Sequence, residues 1–218
     1  MKLFQASMFA VTLGLAMNAG AAPKAKKPVG KDAPAASAVA VFDVDSSAST
    51  AAWLGKKVTG QHDGKLKIKS GALEVKDGAP VSGKFELDMA SITVDDIKDA
   101  DSNGKLVGHL KDADFFSVDK FPTSTLKIRS VKGLKAEAGK PTHEITGDLT
   151  IKGITKELTF PATISIKGDT LNANASIPVD RTLWDIRYGS GKFFPSIGDK
   201  AIYDVFTVDV KLAANKKK

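Results

Sequence analysis

Residues 149–177 read LTIKGITKELTFPATISIKGDTLNANASI, and apolar side chains recur on every second position through most of that stretch. Leu149 and Ile151 lead into a turn at Lys152-Gly153-Ile154-Thr155, after which Leu158, Phe160, Ala162, Ile164 and Ile166 keep one face apolar. Beyond Lys167-Gly168-Asp169 the pattern resumes, with Leu171, Ala173, Ala175 and Ile177 set against Asn172, Asn174 and Ser176. A period of two belongs to strands with one buried and one wet face, and glycine-bearing turns join such strands as hairpins.

The same signature extends in both directions. Leu66 and Ile68 alternate with Lys65, Lys67 and Lys69; Phe85, Leu87 and Met89 with Lys84, Glu86 and Asp88; Leu126 and Ile128 with Thr125, Lys127 and Arg129. The last such run sets Phe206, Val208, Val210 and Leu212 against Thr207, Asp209 and Lys211. Turn chemistry separates the runs at Lys76-Asp77-Gly78-Ala79-Pro80, at Lys132-Gly133 and at Gly139-Lys140-Pro141. The expected fold class is all-β, a meander of eight or so antiparallel strands that stack as a sandwich or close as a barrel to hide their apolar faces and edges. Val94 to Lys111 breaks the pattern, with Ile97, Leu106, Val107 and Leu110 at helix-like intervals, and reads as a loop leading into a short helix. That helix ends in Asp114-Phe115-Phe116-Ser117-Val118-Asp119-Lys120-Phe121-Pro122, where three phenylalanines stand in a charged loop. Such rings either close one end of the core or close over an apolar ligand.

The amino-terminal residues read as an export signal: Lys2 precedes an apolar run from Leu3 to Met17, and small residues at Ala19-Gly20-Ala21 suit cleavage after residue 21. Residues 22–38, rich in Pro, Ala and Lys, read as a flexible basic linker, residues 39–213 as one domain, and residues 214–218 as a basic tail. The expected location is periplasmic or secreted; the chain has no cysteine for lipid attachment or disulfides. The net charge of +7 comes from the ends, because eight of the 32 basic residues and one of the 25 acids fall outside residues 39–213, leaving 24 of each inside. A neutral domain without a basic aromatic face is not a nucleic-acid binder. The basic ends allow peripheral contact with anionic membrane, and a homodimer is left open as an oligomeric state.

No catalytic constellation is legible. The three histidines, His62, His109 and His143, have no metal-ligand spacing, and with no cysteine a zinc site would lean on scattered carboxylates. Gly189-Ser190-Gly191 lacks the strand-to-helix setting of a nucleophile elbow. The pairs Asp43/Asp45 and Asp95/Asp96 read as solvated turn residues, and the chain as a non-enzyme without metal or catalytic cofactor.

Five segments in order resemble the YceI-like family of secreted lipid- or polyisoprenoid-binding proteins. They are Trp53-Leu54-Gly55 through Gln61-His62-Asp63-Gly64; Gly83-Lys84-Phe85-Glu86-Leu87-Asp88-Met89-Ala90-Ser91-Ile92; the loop His109 to Thr123; Gly147-Asp148-Leu149-Thr150-Ile151-Lys152-Gly153; and Asp180-Arg181-Thr182-Leu183-Trp184. The resemblance implies an eight-stranded antiparallel lipocalin-like barrel with a short helical cap, whose lumen holds a long isoprenoid or similar amphiphile such as a polyprenyl quinone. Whether the lumen is open or filled by side chains stays undecided at this point. On this reading Phe85, Met89, Phe160 and Phe206 are wall residues, and Leu110, Phe115, Phe116 and Phe121 belong to the cap. Trp53 and Trp184 are rim or lumen aromatics whose indole donors need partners. His62 is a hydrogen-bonding residue at a strand start, and Arg181 pairs with a carboxylate in preference to facing a lipid head group. One departure concerns the rim: Asp185 stands where many relatives have glycine, and Phe193-Phe194-Pro195 lies in the loop that follows.

Overall fold

The computed structural model describes residues 38–135 and 137–218. The expected export signal, and the linker up to residue 37, lie outside the described residues. Nine strands form one antiparallel sheet: β1 (Val39–Val44), β2 (Thr50–Lys57), β3 (Gly60–Lys76), β4 (Ala79–Asp88), β5 (Thr123–Gly133), β6 (His143–Ile151), β7 (Ile154–Lys167), β8 (Thr170–Asp180) and β9 (Val205–Lys216). From β3 to β9 each strand pairs with the next, and both β1 and β2 bridge β9 back to β3, so the sheet closes.

Nine strands fill eight positions around this barrel, because β1 and β2 share one. β1 faces residues 72–76 of β3 and 214–216 of β9, whereas β2 faces residues 60–66 of β3 and 207–211 of β9. Between them the chain turns at residues 45–49. The Asp45 carboxylate accepts from the amides of Ser47 and Ala48 at 2.9 and 3.1 Å, and Ser49 Oγ accepts from the Ala213 amide at 3.0 Å. The ladder to β9 is therefore interrupted without orphaning its polar groups.

Two hairpins use turns with both central residues at positive φ, Asp77-Gly78 at 52° and 78° and Lys152-Gly153 at 49° and 72°. Their twist matches that of the flanking strands, which fixes register. The meander places the turns at 77–78, 134–142 and 168–169 at one end of the barrel. The other end, the cap end, carries the turns at 58–59 and 152–153 and two long connections, residues 89–122 and 181–204.

The first connection holds α1 (Ala100–Lys111), whose Asp99 side chain accepts from the Ser102 amide at 2.9 Å and so caps the helix. A loop leads into this short helix as expected, and residues 92–96 lie against β3. The Thr93 amide donates to the Lys65 carbonyl at 3.0 Å, and the Asp95 amide to the Asp63 carbonyl at 2.8 Å. Trp53 Nε1 donates to the Thr93 carbonyl at 3.0 Å, satisfying the indole. This close approach requires Gly64, where a Cβ would lie 1.9 Å from the Thr93 carbonyl oxygen. Gly64→Ala is expected to cost about 1–3 kcal/mol and roughly 2–12 °C in melting temperature. A variant that melts with the wild type in thermal denaturation would show that residues 92–96 are not pinned to β3.

The carboxyl-terminal boundary differs from the sequence expectation. β9 runs to Lys216, and Ala214, only 2% exposed, pairs with both Val44 and Leu171. Residues 214–216 are thus strand rather than tail, because the inward alternation of Leu212 continues through a small residue that carries little hydropathic signal. The pair Asp95/Asp96 differs as well. Asp95 meets Lys65 Nζ at 3.0 Å and Asp96 meets His62 Nδ1 at 2.8 Å, so both are partnered across to β3.

These contacts set an acid limit. The hydrogen bond from Ser47 and adjacent amides hold Asp45 below the usual carboxylate range, and the Lys65 contact does the same for Asp95. For Asp96 burial pushes upward, but bonds from His62 and the Asp63 amide outweigh it and the net direction is down. Burial also pushes His143 below its ordinary 6.5. A group whose folded pKa is lowered contributes stability above its unfolded pKa and loses it as pH falls through the folded one. The denaturation midpoint is therefore expected to fall in two stages, first below about pH 6.5 from His143 and then below about pH 4 from the aspartates. His143→Gln should remove the first stage in denaturant titrations; its persistence would assign that stage elsewhere.

Candidate functional site

The inward positions of β3 to β9 surround a cavity of about 120 Å³ lined by apolar atoms alone. One water needs on the order of 10–15 Å³ and two to four polar partners, so this space has room for several waters and nothing to hold them. Ala162 and Ala175 pair directly across β7 and β8, and Ala173 lies between Ile164 and Leu212. Three alanines on inward positions leave the wall short of side-chain volume. Phe85, Leu126, Leu158, Ala175 and Val210 line the cavity yet remain only partly covered. Phe160 is buried in the same wall.

A second cavity of about 70 Å³ lies under the cap and is again apolar in its lining. Trp53, Leu110, Phe115, Phe116 and Phe206 line it, joined by Ile186, Ile202 and Tyr203 from the second long connection. The two spaces adjoin along the barrel: Leu66 of the cap cavity precedes Ile68 of the main one on the same face of β3, and Phe206 precedes Val208 on β9.

The phenylalanine loop owes its shape to the end of α1. The amides of Phe116 and Val118 donate back to the Leu110 and Lys111 carbonyls at 3.1 and 2.8 Å, and Ser117 adopts φ 49°. This folds Phe115 onto His109 and Tyr188, with ring centroids 4.9 and 5.5 Å away, while Phe116 meets Phe206 edge-on at 6.2 Å. His109 and Tyr188 are themselves 4.5 Å apart, so three rings join the first connection to the second. Lys152 spans both as well, donating to the carbonyls of Ala113 at 3.4 Å and Asp185 at 3.1 Å.

Three residues expected at the site lie elsewhere. Phe121 packs over the β6–β7 turn, where a Cβ on Gly153 would come 3.0 Å from its ring. Met89 is 3% exposed and Trp184 2%, both in the core, and neither lines either cavity. The Trp184 indole donates to the Leu149 carbonyl at 3.1 Å, so this residue, expected at the rim or in the lumen, is anchored in the core by its indole donor.

Arg181 takes the structural role, with Asp204 as its carboxylate partner, but its principal partners are backbone carbonyls. It is 3% exposed and donates to four backbone carbonyls: Ile186 at 2.9 Å, Tyr188 at 2.8 Å, Ile202 at 3.1 Å and Tyr203 at 3.2 Å. Asp204 stands 3.7 Å away as a secondary partner. Burial pushes the guanidinium pKa down and Asp204 and Asp180 push it back. The five-donor fork thus organises the 181–204 connection, and no carboxylate holds it closely. Asp185 takes φ 57° at the end of the short 3-10 turn, the left-handed geometry for which glycine is the ordinary choice. His62, on β3 two residues from its start, holds Asp96 as expected of a hydrogen-bonding residue. Among the described residues no group of three or more His, Asp or Glu side chains is placed to hold a metal ion.

The pattern of the YceI-like domain matches residues 42–214. A UPF0312 protein of Pseudomonas putida is 30% identical over 105 residues, 48% of this chain and 50% of that protein. Protein YceI of Shigella flexneri is 33% identical over 106 residues, 49% of this chain and 50% of that protein. The chain thus spans about half the length of these relatives in the aligned parts. Among solved structures, BcnA of Burkholderia cenocepacia superposes with a TM-score of 0.60 at 22% identity, covering 79% of this chain and 99% of that one. A polyisoprenoid-binding domain of Saccharophagus degradans, described as implicated in plant cell wall breakdown, superposes with a TM-score of 0.56 at 12% identity, covering 81% and 98%. At such identities the likeness is one of fold.

Proposed function

As the chain belongs to the YceI-like domain family, we propose that it is an exported binding protein whose barrel holds the apolar chain of an isoprenoid or similar amphiphilic lipid and does no chemistry on it. The observation that carries this reading is the unfilled lumen, two adjoining cavities without a polar lining atom. The fold shared with a polyisoprenoid-binding domain supports it, as does the apolar run from Leu3 to Met17 for export. Among the described residues no helix is long and apolar enough to cross a membrane.

The chemistry of the wall selects the ligand. Arg181 spends its donors on carbonyls, so a polar head group finds no partner within the cavities. Such a head stays outside, and the chain enters. Each buried methylene gains about 0.8 kcal/mol relative to water, but a lipid leaving a bilayer is already desolvated, so net affinity rests on packing. That balance favours carriage or sequestration over very tight storage.

Native mass spectrometry of the protein purified from its own host tests the reading. The expected result is a co-purifying lipid of defined mass, removable by delipidation and restored by a prenyl quinone. A clean apo mass with no uptake of prenyl lipid would sink the proposal and leave an envelope protein with a structural or interaction role.

A further inference from the structure

The second long connection and the adjoining β2–β3 turn turn large apolar side chains outward. Leu183, Tyr188, Phe194, Tyr203 and Val205 are each 45–53% exposed, Phe193 is 37% exposed, and Val58 beside them is 48% exposed. The Val58 amide donates to the Ala201 carbonyl and the Tyr203 amide to the Lys56 carbonyl, at 3.0 and 2.9 Å, so both segments form one surface. Cations are built into it. Arg187 lies 4.9 Å and Lys192 5.9 Å from the Phe193 ring centroid; Arg187 is also paired with Asp185 at 2.7 Å, so the unbalanced positive charge comes from Lys192 and from Lys56 and Lys57 on the strand that leads to Val58.

We propose that this cap-end surface is a docking face for an anionic lipid bilayer, with Phe193 and Phe194 as the inserting side chains. Aromatic tips flanked by long cationic side chains suit the interface between acyl chains and head groups, where rings enter and ammonium or guanidinium groups meet phosphate. A protein partner fits less well. The backbone of the loop is engaged within itself, with the Phe193 and Phe194 amides on the Ser190 carbonyl and the Ile197 amide on the Phe194 carbonyl. It therefore presents no row of free backbone groups for an added strand. A bilayer needs only apolar tips and positive charge.

The position of the face is its strongest support. Tyr203 is 53% exposed on this surface and also lines the cap cavity, and its neighbours Ile202 and Phe206 line that cavity too. Tyr203 thus borders both the docking face and the cap cavity. This rests on the lipid-binding reading above: docking there would let a lipid chain pass between bilayer and barrel without crossing water.

The test uses the exported protein, residues 22–218, with vesicles of phosphatidylcholine containing or lacking phosphatidylglycerol, measured by co-sedimentation, and prenyl-quinone uptake from cyclodextrin measured separately. The wild type is expected to bind the anionic vesicles, more weakly as salt rises. Phe193→Ser with Phe194→Ser should lower vesicle binding tenfold or more, and Arg187→Gln with Lys192→Gln by roughly fivefold per charge, with quinone uptake from cyclodextrin unchanged in both. Unaltered vesicle binding by the phenylalanine variant would overturn the proposal and assign any binding to the basic ends. A wild-type dimer in sedimentation velocity that this variant converts to monomer, with vesicle binding intact, would reassign the face to a second copy. Vesicle binding without quinone uptake would preserve docking and defeat the lumen reading, whereas uptake without vesicle binding would do the reverse.

Discussion

Arg181→Ala is expected to cost about 3–5 kcal/mol, because it strands the buried carbonyl of Ile186 and three partly buried ones that one guanidinium now satisfies. Against a total stability of about 5–15 kcal/mol such a loss removes much of the margin, and it corresponds to roughly 6–20 °C in melting temperature. The damage should begin in the 181–204 connection, since all four acceptors lie there. Arg181→Lys should recover only part of the loss, because an ammonium carries three donors on a flexible stem and lacks the planar fork that spans Ile186 to Tyr203. Chemical denaturation reads the energies, and hydrogen exchange reads where opening starts. Near-native stability for Arg181→Ala would mean that water replaces the guanidinium at little cost.

Filling the lumen should separate ligand from fold. Ala173→Leu with Ala175→Leu places two branched side chains into the main cavity, where both alanines are partly covered and about 120 Å³ stands empty. New apolar burial should hold thermal stability at or above the wild type. A lipid chain competing for that space would meet an overpacking cost of about 1–3 kcal/mol, or roughly 5- to 150-fold weaker binding. Prenyl-lipid titration of the delipidated protein, beside a melting curve, reads both effects. Retained affinity with full stability would place the ligand outside the barrel.

The strongly patterned half of the fold was legible in the sequence. Residues 149–177 alternate through β6, β7 and β8, and two-residue turns at Lys152-Gly153 and Gly168-Asp169 join them. β1 and β2 were not, because Val39, Val41 and Val44 follow no clean period and the turn at residues 45–49 conceals that two short strands share one position. Phe115, Phe116 and Leu110 could be singled out as cap residues from their apolar character in a charged loop, and all three line the cap cavity. That Ala162, Ala173 and Ala175 leave a cavity was not legible, since a small residue on an apolar face looks the same whether its neighbours fill the gap or leave it. Tyr203 and Ile202 escaped for another reason. Their place beside the cap cavity belongs to an irregular segment whose carbonyls Arg181 holds, and no periodicity records that.

The shared barrel position of β1 and β2 also bears on how the chain folds. The final seam joins Phe42 to Lys216 and Thr50 to Lys211, the first and last strands of the domain. Contacts so distant in sequence carry a large loop-closure cost and are met late, after the hairpins between them supply a template. Until β9 arrives, β8 and the β1/β2 strand are open edges with their neighbours' apolar faces beside them. A chain that emerges amino terminus first therefore has no closed barrel until β9 is complete, and the whole of that interval is its exposure to aggregation.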